Sequence, residues 1–122
     1  MPSPSDAPAL DLEVLKGYVG DDPAHIREFL LKFRHSAAEG AHELAAAIIA
    51  PEIADASARI ARVAHTLKST ARAAGATHLG DLLAELEKAA TRQDIGAMRQ
   101  DYEAYAREYP RVQRRLQELL PT

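Results

Sequence analysis

Arg62, His65, Lys68 and Arg72 follow one another at spacings of three, three and four residues. On an α-helix such positions stand one turn apart on a single face. With Ile60, Val63 and Leu67 on the inner face of the same segment, the outer face holds Ala58, Ala61, Arg62, His65, Lys68, Ser69 and Arg72. No acidic residue falls within this stripe, although like charges at these spacings cost a few tenths of a kcal/mol per pair (~0.2–0.5). The stripe therefore reads as a surface prepared for an anion. An imidazole that is largely neutral at cytoplasmic pH is a competent nucleophile. The neighbouring cations, Lys68 above all, would stabilise a phosphoryl group once it reached the ring. Small neighbours at Ala58, Ala61 and Ser69 leave His65 on a flat surface that a large partner can approach. Residue types and spacing point to covalent phosphorylation of His65.

The elements that must position this stripe are helices. The chain of 122 residues is long enough for one domain, and its 25 alanines with few β-branched residues favour closely packed helices. Residues 1–9, with three prolines and two serines, read as a flexible leader, and residues 10–120 as the domain. A short helix is expected from Leu10 to Val19, stopped by Gly20. Asp21-Asp22-Pro23 opens a second, whose Ile26, Phe29, Leu30, Phe33, Ala37, Ala41, Leu44 and Ile48 form one apolar face before Pro51 ends it. The third runs from about Glu52 to Ala74 with Gly75 as its stop. Thr77 is expected to cap the fourth, which carries Leu79, Leu82, Leu83 and Leu86. Asp94 caps the fifth, where Ile95, Met98, Tyr102, Tyr105, Tyr109, Val112, Leu116 and Leu119 repeat at helical spacing and Pro110 should kink the axis. Four long amphipathic helices with short connections predict an all-α, antiparallel up-down four-helix bundle, with the short first helix across one end.

Composition narrows the function. A formal charge of −3 argues against nucleic-acid binding through a globally basic surface. The absence of cysteine excludes disulfides, thiolate catalysis and cysteine-ligated metal. The longest apolar run, Leu44 to Ala50, is far below the ~18 residues of a membrane span. The N-terminus has no secretory pattern, so a cytoplasmic, membrane-free protein is expected. A monomer is expected because no apolar face remains once the bundle is filled, and a free-standing chain because it starts with methionine and holds a whole bundle.

Ala64-His65-Thr66-Leu67-Lys68-Ser69, with Gly75 ten residues after the histidine and then Leu79, Leu82, Leu86 and Glu87, resembles the histidine-containing phosphotransfer (HPt) domain. The resemblance extends from about Leu10 to Leu119. It implies that His65 accepts a phosphoryl group on Nε2 from the aspartyl phosphate of a response-regulator receiver domain and relays it to a second receiver, with a hybrid sensor histidine kinase as a further possible partner. Lys68 would be the phosphate-stabilising cation, and Arg62, Ala61, Ser69 and Arg72 would meet the partner. Ser69 stands where the family most often has glycine, Arg72 where small residues are common, and Ala73 where many members carry asparagine. The domain would be a phosphocarrier and not an enzyme: it has no Gly-rich nucleotide loop, needs no cofactor of its own, and leaves Mg2+ to the receiver.

Two other readings compete. A di-iron bundle needs paired Glu-x-x-His motifs, and Glu39-Gly-Ala-His42 stands alone. A docking module that binds a receiver or another signalling protein without being phosphorylated would not need His65 and Lys68. His25, His35, His42 and His78 read as solvent-facing, and the Tyr102, Tyr105, Tyr109 ladder as bundle core. Leu31 falls off the inner stripe of the second helix and is expected, with Ala38, to form an apolar docking rim on the His65 side.

Overall fold

The computed structural model describes residues 8–121 and contains five helices: α1 (Leu12–Val19), α2 (Pro23–Ile48), α3 (Ile53–Ala73), α4 (Thr77–Thr91) and α5 (Ile95–Leu119). Most of the expected leader, residues 1–7, lies outside the described residues. Local chemistry sets the helix ends. Asp22 Oδ1 accepts from the Ala24 N–H at 2.9 Å, with Pro23 in the first helical turn where its missing donor is harmless. Asp11 and Asp94 cap α1 and α5 in the same way, accepting from Glu13 N and Ala97 N. The cap of α4 is different: Ala76 precedes the helix without a side-chain bond, so Thr77 is its first residue and does not cap it. α5 runs unbroken through Pro110.

The turn between α3 and α4 closes with two nested bonds. Gly75 N donates to Arg72 O at 3.1 Å and Ala76 N to Ala71 O at 2.8 Å, with Gly75 in the left-handed region at φ 89°. Glycine is needed there twice over, because a β-carbon would also overlap the Asp11 carbonyl. Asp11 N donates in turn to Gly75 O at 2.8 Å, so α1 is clasped by its backbone to this turn. The turn before α5 uses the same bond pattern with Gln93 at φ 53°.

Each long helix packs on its neighbours in the chain and α5 closes onto α2, an antiparallel four-helix bundle; α1 crosses the end where α2 begins and α5 finishes. Leu10 and Leu15 tuck α1 onto a core built from Phe33, Leu44, Ile60, Leu67, Leu79, Leu83, Leu86, Met98, Val112 and Leu116. Each large apolar side chain buried this way contributes about 1.5–3 kcal/mol. The inner faces agree with the sequence periodicity apart from Ile95, which is 41% exposed because it is the first residue of α5, beyond the reach of the core. Tyr105 is buried and stacks on half-buried Tyr109 with ring centres 5.9 Å apart, so the tyrosines belong to the bundle. Glu108 is also buried and is held by Arg111 at 2.8 Å.

Candidate functional site

α3 turns Ile60, Val63, Ala64, Leu67 and Ala71 inward. That leaves Arg62, His65, Ser69 and Arg72 exposed, with Ala61 and Lys68 half-buried at the margin. The stripe expected from spacing is therefore present on one face. Its electrostatics differ from expectation, because the neighbouring helix supplies the acids that α3 lacks. His65 Nδ1 lies 2.8 Å from Glu87 Oε2, and the Lys68 ammonium donates to the other oxygen of the same carboxylate. Arg72 Nη2 donates to Asp81 Oδ1 at 3.2 Å. Arg72, expected to meet a partner, is thus committed to α4, and its stem lies over Gly80, where a β-carbon would come within 2.6 Å of Arg72 Cγ. Arg62 forms no ion pair with any described residue.

In the sequence Glu87 is only one residue of the pattern downstream of His65, yet it organises the site. Its signal lies in the register: in an antiparallel hairpin, positions equidistant from the turn lie level, and His65 and Glu87 are equidistant from Ala76, as are Arg72 and Gly80. Hydrogen bonding from Lys68, and then from His65, holds the Glu87 carboxyl below its ordinary 4.5, against a burial effect that pushes it up. At neutral pH Glu87 is therefore a carboxylate that can only accept. The hydrogen bond then requires the proton on His65 Nδ1, which leaves the lone pair on Nε2. The His65 side chain is 69% exposed while Glu87 is 21% exposed, so the anchor is sheltered while the ring stands open to solvent.

The expected apolar rim is not at this face. Ala38 lines a groove between α2 and α5 with Arg34, Tyr109 and Gln113. Leu31, two turns earlier on α2, shares that face and packs partly against the core. The α2 residues that border α3 are Ser36, Glu39, Gly40 and Glu43. Elimination from the inner stripe showed that Leu31 was off the core centre, but not to which side.

Of the other histidines, His25, His35 and His42 are exposed, and His78 is half-buried near the start of α4. His25 lies 3.8 Å from Asp22 and His35 lies 3.0 Å from Glu39. Among the described residues no three His, Cys, Asp or Glu side chains converge as metal ligands, and no helix is long and apolar enough to cross a membrane.

Residues 28–121 match the family model of the Hpt domain, and the chain belongs to that family. It is accordingly a phosphotransfer module of two-component signalling, a phosphocarrier by family. The match omits α1 and the first turn of α2. Neither the curated proteins nor the solved structures contain a match to it.

Proposed function

We propose that His65 is the phosphoacceptor, taking a phosphoryl group from the aspartyl phosphate of a response-regulator receiver and passing it to another receiver in the cytoplasm. The observation that carries this reading is the Glu87 contact on Nδ1, which frees Nε2 on an exposed face. In the step, the Nε2 lone pair forms the P–N bond as the P–O bond to the aspartate breaks, and the carboxylate leaves with that electron pair. The ring keeps its Nδ1 proton and becomes cationic, and Glu87 offsets the new charge. Lys68, one turn along α3, supplies a cation for the phosphoryl oxygens. Mg2+ belongs with the receiver's acidic pocket, and the carrier contributes position and charge. A hybrid sensor kinase whose receiver supplies the group fits the same chemistry, and the carrier acts as a monomer.

The test is transfer from a panel of phosphorylated receivers, with Mg2+, to the wild type and to His65→Gln. Acid-labile, alkali-stable label on the wild type alone is the expected result. Tight binding to a receiver with no label from any of them would overturn the proposal in favour of a docking module.

A further inference from the structure

The side of His65 from which a donor must come is set by Glu87. With Nδ1 held toward α4, Nε2 faces away from Glu87. On the other flank of α3, facing α2, a groove of about 280 Å³ starts at Thr66, the residue after His65, with Gly40, Val63 and Leu67 in its floor and Thr66 on its lip. Gly40 gives it depth, since a β-carbon there would sit 2.8 Å from Leu67 Cδ2.

Two opposite charges line this groove, Glu43 from α2 and Arg62 from α3. Both are exposed, and they pair neither with each other nor with any other described residue. Their neighbours are occupied: Lys68 and Arg72 by acids of α4, Glu39 by His35. The groove therefore offers a partner one cation and one anion that no neighbour occupies, on the flank of α3 that faces away from the ion pairs holding His65.

We infer that Arg62 and Glu43 are the specificity-determining charges of this carrier, selecting receivers that place an acid against Arg62 and a base against Glu43. This rests on the phosphotransfer reading above. Exposed charges at the rim of an interface act on encounter and discrimination more than on the chemistry that follows. Arg62 and Glu43 set which receiver docks, and His65 and Glu87 set what happens once it has.

The experiment is single-turnover transfer from the receiver that labels the wild type best, over a range of receiver concentrations. Arg62→Glu and Glu43→Lys should each raise the half-saturating concentration about 10-fold, with the maximal rate within about 2-fold of wild type. Glu103→Lys on α5, a charge change away from the groove, should do neither. The Arg62→Glu/Glu43→Lys double variant should reorder the receiver panel. Half-saturation unchanged in both single variants overturns the inference while leaving the function standing. So does a lower maximal rate at unchanged half-saturation, which would place Arg62 at the reacting phosphoryl group. A wild type that no receiver labels overturns the function and this inference together.

Discussion

The α3–α4 seam and the α2–α5 seam are built on different plans. α3 and α4 make the most extensive helix contact in the bundle, and α2 and α5 the least among the four bundle seams. At the first, Gly80 lets α4 lie close against Arg72 and the Lys68 carbonyl of α3, and Glu87 and Asp81 bind Lys68, His65 and Arg72 across the junction. At the second, Tyr109, Gln113 and Ala38 border an open groove of about 630 Å³. The difference shows where this bundle concentrates its ion pairs and close helix contact. The His65 imidazole, bonded through Nδ1, sits on the tight, ion-paired seam, while the far side of the bundle closes with looser packing.

Substitutions at the two seams test this contrast. The largest effect is expected from Gly75→Val, which forces a branched side chain into φ 89° and against the Asp11 carbonyl. It should cost about 3 kcal/mol or more, lowering Tm by about 10 °C or more in a thermal melt. Glu87→Gln keeps the volume but removes the charge that fixes His65. Transfer should slow about 10–100-fold, equivalent to about 1.4–2.7 kcal/mol in the barrier, with the circular dichroism spectrum unchanged. Gly80→Ala gains helix propensity but presses on Arg72 Cγ and the Lys68 carbonyl, for a net loss of about 1 kcal/mol by urea denaturation. A gain would mean that the Arg72 stem swings aside and the seam is not tight. Ala38→Val, on the open seam, should change stability by no more than about 0.5 kcal/mol. A loss equal to that of Gly80→Ala would erase the distinction between the seams.

Protonation provides an independent check. The folded protein holds the Glu87 carboxyl below 4.5, so its contribution is complete above that value and is lost only as the pH falls through the lowered one. Glu87 should therefore stay ionised between about pH 8 and about pH 6, giving only the carboxylate band in an isotope-edited infrared spectrum. A protonated-carboxyl band growing toward pH 6 would show Glu87 titrating in that range, against its position between two donors. Tyr105 behaves oppositely, because burial raises its hydroxyl above the ordinary 10. The unfolded chain releases that proton first, so stability should fall as the pH rises beyond 10, measured by alkaline denaturation of Tyr105→Phe beside the wild type.

Helix boundaries and the face that carries His65 were legible because they depend on near neighbours. Asp22-Pro23 marks the start of α2, Gly75 the stop of α3, and the Ile60, Val63, Leu67 spacing sets the orientation of His65. What was not legible depends on contact between helices. The stripe on α3 looked unneutralised because its acids, Glu87 and Asp81, lie beyond the turn. Leu31 was assigned to the wrong side because apolar character carries no information about which neighbour it faces. Ile95 and Thr77 departed from expectation at helix ends, where the core and the cap geometry stop constraining them.

The clasp between Asp11 and Gly75 also has a consequence for the order of assembly. Its acceptor, the Gly75 carbonyl, is presented only after the α3–α4 hairpin has closed. That hairpin is made of contacts close together in the chain and costs little loop entropy, whereas the clasp joins Asp11 to a turn beyond both α2 and α3. The clasp therefore closes after the hairpin, and mutations at Leu15 should accelerate unfolding while leaving the refolding rate nearly unchanged.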